Sequence, residues 1–222
     1  MNTARLVAIT QPLVPECKTA EEFIVYAARV SNPGNQANRE TDARLLAYLI
    51  RNKHWSPAEM ASATLEVITT RDTARQMLRH RSFSFQEFSQ RYAEASVEPV
   101  LREARGQHPT NRQASVDIDD DSEVYHEWKL RQMHVADACA AAYEWAIQNG
   151  IAKEVARAVL PEGLTPSTLY MSGTFRSWLH YLDQREAEGT QKEHREVAQA
   201  IRAELVAAAP LIFSNDHRSM GA

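Results

Sequence analysis

Apolar residues in this chain change their spacing several times, and each change predicts an element. "RLVAIT" (5–10) reads as a short strand closed by Pro12 and Pro15. Thr19 and Glu22 have the spacing of a capping box, and Phe23, Ile24, Ala27 and Val30 then share one helical face until "SNPG" stops it. Leu45, Leu46, Leu49 and Ile50 predict a second helix over about 41–53, broken by "HWSPAEM" (54–60). Residues 62–69 suit a strand, 71–81 a helix burying Ala74, Met77 and Leu78, and 84–92 an extended segment. The stretch 97–121 is polar, a loop with a strand edge. A long helix follows over about 122–149, with Val124, Trp128, Val135, Ala138, Ala142 and Trp145 as its apolar stripe and Gly150 as its stop.

"IAKEVARAVL" is a short helix ended by Pro161, and "LYMSGTF" a strand running into the helix "RSWLHYLDQR". Thr190 and Glu193 predict a second capping box, opening a helix that buries Val197, Ala198, Ile201 and Leu205 and stops at Pro210. Strands and helices do not alternate regularly. The expected fold is therefore α+β, a helix-rich single domain over 1–222 with a small, mainly antiparallel sheet.

Composition narrows the function. With 222 residues, 44% hydrophobic and 24% charged, the chain has the make-up of a soluble globular protein. It has no apolar run long enough to span a membrane and no evident secretory signal, so the cytoplasm is the expected location. Cys17 and Cys139 are the only cysteines, too few and too far apart for a disulfide framework or a metal knuckle. The net charge of −4 gives no overall footprint for nucleic acid. Within 71–91, however, Arg71, Arg75, Arg79, Arg81 and Arg91 stand against Asp72 and Glu87, a local balance of plus 3 with His80 neutral. Any anion must be met locally.

"RHRSFSFQEFSQRY" (79–92) is the centre of that island. On a continuous helix Arg71, Arg75 and Arg79 would share a face and repel by roughly 0.2–0.5 kcal/mol per pair, which calls for a counter-charge. For Arg71 and Arg75 the ordinary answer is a solvated face neutralised by Asp72 and nearby acids. If 85–92 is extended, Glu87, Ser89 and Arg91 point the same way; if it is helical, Glu87 and Arg91 form an i,i+4 pair. Phe83, Phe85 and Phe88 suit a core. Glu123 and His126 match half of a di-iron motif whose second half is missing, so no metal is expected. His180 stands one turn after Arg176, a position where a histidine is commonly surface or core. The seven glycines never form Gly-x-Gly, so a nucleotide cofactor must be held mainly by side chains.

Arg79-His80-Arg81 followed after seven residues by Ser89 resembles the signature of the flavin-dependent thymidylate synthases. "EEFIVYAARVSNP", "HWSPAEM", "ARAVLP" and "GTFRSWLHYLDQREAEGTQKEH" resemble further segments of that family, in order. The resemblance implies a homotetramer binding FAD between subunits and converting dUMP to dTMP, with methylenetetrahydrofolate and NADPH as co-substrates. It implies nucleotide contacts at Gln76, Arg79, Glu87, Ser89, Gln90, Arg91, Arg157 and Arg185. Flavin contacts are implied at Ser31, His54, Ser56, Arg79, His80, Arg81, Glu87, Thr174, Arg176 and His180. The chain departs from some members at Thr174, where they carry Asn, and at Gly189, where they carry His. Arg185 and Ser89 are the expected catalytic residues, Arg185 as a charge stabiliser and Ser89 as a hydrogen-bonding group. Two other functions compete: a nucleic-acid-binding protein that stacks bases on the phenylalanines, and an inactive scaffold binding flavin and nucleotide.

Overall fold

The computed structural model describes residues 2–214. Its strands are β1 (Thr3–Ile9), β2 (Ser62–Thr70), β3 (Ser84–Glu87), β4 (Arg105–Gln107), β5 (Ser115–Asp117) and β6 (Pro166–Thr174). The helices are α1 (Ala20–Ala28), α2 (Asp42–Arg51), α3 (Arg71–Met77), α4 (Glu123–Gln148), α5 (Lys153–Ala156), α6 (Phe175–Arg185), α7 (Lys192–Ala208) and α8 (Pro210–Phe213). A four-stranded sheet in the order β1-β2-β6-β3 is antiparallel throughout, and β4 and β5 form a separate hairpin. This is the expected α+β fold. Among the described residues no helix is long and apolar enough to cross a membrane.

Alternation sets the sheet's two faces. Ala63, Leu65 and Val67 of β2 and Leu169 and Met171 of β6 are buried under the helices, while their neighbours Thr64, Glu66, Thr168 and Tyr170 point outward. On that outer face Glu66 accepts from Tyr170 Oη at 2.7 Å and pairs with Arg5 at 3.0 Å. The inner face carries Phe175, Trp178, Tyr181 and Leu182 of α6, Ala74 and Met77 of α3, and Val197, Ile201 and Leu205 of α7 in one core. Trp178 satisfies its buried N–H on the Ala63 carbonyl at 3.1 Å.

The strand pair also aims two helices. β2 and β6 pair from Ser62↔Thr174 to Thr70↔Pro166, so their C-termini lie at opposite ends of the strand pair. Each continues directly into a helix, α3 after Thr70 and α6 after Thr174, and both pack back on the inner face. Thr174 caps α6, accepting from Ser177 N at 3.2 Å.

Three local expectations need correction. Thr19 and Glu22 do form the capping box of α1, but Thr190 and Glu193 do not form one on α7. Thr190 instead bonds to the Gln184 carbonyl, and Glu193 is held by arginines. The helix after Arg71 ends at Met77, so Arg79 lies beyond the face of Arg71 and Arg75. The stripe named for α4 faces outward: Val124, Trp128, Val135 and Trp145 are 44–64% exposed. Its inner face is Gln132, Ala136, Tyr143 and Ala146. Gln132 exchanges two hydrogen bonds with the Arg102 backbone, and Tyr143 Oη accepts from Ala95 N, so polar side chains here serve an irregular loop that has no strand partner.

Gly173 is required by packing. A Cβ there would sit 2.4 Å from the ring of Phe83, which Trp178 holds at a centroid distance of 4.6 Å. Gly173→Ala should lower unfolding stability by about 1–3 kcal/mol in chemical denaturation. An unchanged midpoint would show that Phe83 is free to move.

Candidate functional site

The C-terminal ends of α3 and α6 meet at His80 and Arg185. Arg185 Nε donates to His80 Nε2 at 2.8 Å. That bond requires a neutral imidazole carrying its proton on Nδ1. Burial, and then the Arg185 charge, push His80 down to about 4. Its ring meets Tyr181 edge-on at 4.9 Å. Behind it His194 is fully buried and pushed down to about 3, by burial first and then by Arg185 and His80. Arg79 and Arg81 flank His80 at the surface, and neither pairs with a carboxylate among the described residues.

A second group runs along α6 and the turn after α2. His180 packs edge-on against Trp55 at 4.8 Å, and Arg176 Nη1 bonds Glu59 at 2.8 Å. Ser56 begins that short turn. His54 meets Tyr48 at 5.7 Å, and Tyr48 lines an open cleft of about 590 Å³ together with Ser31, Asn32, Asn35, Arg44 and Arg51. Arg44 and Arg51 have no carboxylate partner among the described residues. Arg29 and Asp42 form the cleft's buried footing at 2.9 Å. Ser31, His54, Ser56, Thr174, Arg176 and His180, distant in sequence, thus follow one another through α6, this turn and the cleft.

The remaining sequence candidates lie apart. Glu87 accepts from Ser167 Oγ at 2.8 Å and from Arg71 at 3.4 Å. Arg71 and Arg75 both bind Glu162, whereas Asp72 binds Arg102 at 2.7 Å, so the arginine ladder finds its counter-charge at a residue distant in sequence. β3 stops at Glu87 and the chain turns, Tyr92 N and Ala93 N both donating to the Ser89 carbonyl. Glu87, Ser89 and Arg91 therefore do not share a strand face. Ser89 is exposed, Gln90 is buried and Arg91 pairs with Glu154 at 3.3 Å. Arg157 is half-buried in the turn after α5. Among the described residues no hydrogen bond or ion pair joins Ser89, Arg91 or Arg157 to the His80–Arg185 pair. Gln76 does approach that pair, through His194.

Sequence reasoning missed Tyr181, His194, Gln191, Trp55 and Tyr48. A signal existed for one of them: positions 194, 197, 198, 201 and 205 are spaced as a single helical face, which puts His194 on the buried side of α7.

The profile of the family described as "Thymidylate synthase complementing protein" matches residues 12–211. The "Probable flavin-dependent thymidylate synthase" of Paramecium bursaria Chlorella virus 1 is 47% identical over 211 residues, covering 95% of this chain and 96% of that protein. The chain belongs to the flavin-dependent thymidylate synthase family. The Synechocystis sp. member is 46% identical over 202 residues, 89% of this chain and 91% of its own length. Among solved structures, the UMP/dUMP methylase PolB of Streptomyces cacaoi bound with 5-Br dUMP aligns with a TM-score of 0.80 at 29% identity, covering 96% of this chain and 93% of that one.

Both buried imidazoles take up protons less readily in the folded chain than the ordinary histidine does in the unfolded one. Between about 6.5 and 4 the unfolded state binds more protons, so these groups make stability fall as pH drops through that window. In NMR titrations Arg185→Gln should raise the His80 pKa yet leave it below 6.5, because burial is the larger cause. A His80 titrating at 6.5 or above in the wild type would contradict the site's electrostatics.

Proposed function

We propose that this chain is a thymidylate synthase that methylates dUMP to dTMP without a cysteine nucleophile, drawing its carbon from methylenetetrahydrofolate and its reducing equivalents from NADPH through FAD. The observation that carries this reading is the meeting of Arg185 with His80, flanked in sequence by Arg79 and Arg81, which have no carboxylate partner among the described residues. A guanidinium tied to a neutral ring keeps its full charge, and most of its donors, for an incoming ligand. Arg185 would stabilise negative charge developing on the uracil carbonyl, as an oxyanion donor does. Arg79 would meet the nucleotide phosphate through charge-assisted bonds.

Cysteine chemistry is poorly served. Cys17 is buried before α1, 3.7 Å from Arg39 Nη1, and burial raises its thiol pKa, leaving little thiolate at neutral pH. Cys139 lies on α4 and lines a small cavity together with Val97 and Leu160. Neither bonds to the His80–Arg185 pair.

The residues present suit a flavin nucleotide. Ser31, with Arg44 and Arg51, which have no carboxylate partner among the described residues, suits a pyrophosphate, while His54, Ser56, Thr174, Arg176 and His180 would hold the remainder with His80 and Arg81. When bound, FAD supplies the electron transfer, and the protein orients it.

The reading includes a homotetramer with sites shared between subunits, located in the cytoplasm. Two observations support shared sites. The outward face of α4, with Trp128, Leu130, Met133, Val135 and Trp145 all at least 40% exposed, is more apolar than a solvated helix needs. Glu87, Ser89, Gln90, Arg91 and Arg157 lie away from Arg185 within one chain and would complete a neighbour's site.

The decisive assay is NADPH oxidation with and without dUMP, alongside dTMP formation. Oxidation should depend on dUMP. Replacing both Cys17 and Cys139 by Ala should keep activity within about threefold, whereas Arg185→Ala should lower kcat by about 10²–10³. Ser89→Ala should retain measurable turnover, since no base contacts its hydroxyl. A flavin-binding protein forming no dTMP would be the inactive scaffold instead.

A further inference from the structure

A single line of hydrogen bonds runs from the core beneath His80 to an arginine-clamped carboxylate. Tyr181 Oη lies 3.0 Å from His194 Nε2, and His194 Nδ1 lies 3.2 Å from Gln76 Oε1. Gln76 Nε2 donates to Gln191 Oε1 at 2.6 Å, and Gln191 Nε2 to Glu193 Oε2 at 2.8 Å. Glu193 Oε1 receives Arg105 Nη2 at 2.6 Å and faces Arg102 Nη1 at 3.4 Å. Burial opposes charge on Glu193, yet the Gln191 bond and the two arginines hold its carboxyl below the usual range.

The direction of this line follows from that one end. An ionised carboxylate only accepts. Gln191 must therefore turn its NH₂ group toward Glu193 and its carbonyl toward Gln76. Gln76 must then donate to Gln191, which leaves its own carbonyl facing His194. A neutral His194 must carry its proton on Nδ1 to satisfy that carbonyl, and its bare Nε2 accepts from Tyr181. Each amide orientation and the tautomer are thus set by Glu193, although Glu193 is 7% exposed and bonds neither His80 nor Arg185.

We propose that Glu193, acting through Gln191, is a positioning residue that fixes the Gln76 amide so that its spare N–H, and not its carbonyl, faces the nucleotide. This rests on the reading of Gln76 as a nucleotide contact. The carbonyl is occupied by His194, and one N–H by Gln191. What remains is a donor, suited to an acceptor oxygen of dUMP. With the anchor removed the line can run either way, and a reversed Gln76 would present a carbonyl that repels the same oxygen.

The test replaces the carboxylate and then moves it. In wild-type protein labelled with ¹⁵N-histidine and free of nucleotide, His194 should be the Nδ1-protonated tautomer at neutral pH. Glu193→Gln should mix the tautomers and weaken dUMP binding about tenfold by calorimetry, the loss of about one hydrogen bond. KM for dUMP should rise more than kcat falls. The double variant Gln191→Glu, Glu193→Gln keeps the charge and puts an acceptor-only group directly against Gln76, so it should recover most of the affinity. Should Glu193→Gln not fold, Gln191→Leu cuts the same line while leaving the arginines their carboxylate, with the same expected loss.

An Nε2-protonated His194, unchanged dUMP affinity on cutting the line, or a double variant no better than the single one would overturn the proposal. Wild-type protein that ignores dUMP would sink the enzymatic reading, while the tautomer measurement, which needs no nucleotide, still decides the direction of the line.

Discussion

The nine-residue antiparallel register of β2 on β6 is the constraint from which the site follows. Adjacent strands running in opposite directions finish at opposite ends of the sheet. When each continues straight into a helix on the same face, the two helices run toward one another. Their C-terminal ends bring His80 to within 2.8 Å of Arg185 across 105 residues of sequence. A one-residue slip of β6 would turn Leu169 and Met171 outward and move Gly173 away from Phe83, so core packing and the position of Arg185 are specified together.

Charge is distributed around that meeting point with a clear division. Arg71, Arg75, Arg91, Arg102 and Arg105 are each held by a carboxylate, which fixes loops and helix ends. Among the described residues, Arg79, Arg81, Arg44 and Arg51 have no carboxylate partner. Arg185 bonds to a ring that burial keeps neutral, so its charge is oriented without being cancelled. In a chain with net charge −4, Arg44 and Arg51, which line the cleft without a carboxylate partner among the described residues, would be a local means of holding an anion.

Much of this was legible in the sequence, for identifiable reasons. Strands and helices with one buried face repeat their apolar residues at the matching period, so β2, α2, α6 and α7 could be located, as could the Thr19 cap of α1. The α4 stripe misled because a helix with two apolar-capable faces gives one periodic signal, and the inner face turned out to be small and polar. Thr190 and Glu193 had the spacing of a cap, but the arginines of a distant loop outcompeted the backbone for Glu193. Arg71 does find a nearby acid in Glu87, as the local charge balance suggested, but Glu162, shared by Arg71 and Arg75, could not be read because it reaches them through tertiary packing. The motif residues Arg79, His80 and Ser89 were legible by resemblance, while the buried line from Tyr181 to Glu193 depends on a convergence of α3, α6 and α7 that no local pattern encodes.

The proposed function requires the end of α3 and the length of α6 to close one pocket, in which a pyrimidine nucleotide would lie against a flavin. The most direct test is to titrate dUMP into flavin-loaded protein while recording the flavin absorption spectrum, with dUMP binding measured in parallel by calorimetry. A saturable spectral change with the same midpoint as the heat of binding is expected. A nucleotide that binds while the flavin spectrum stays unchanged would contradict the proposed function.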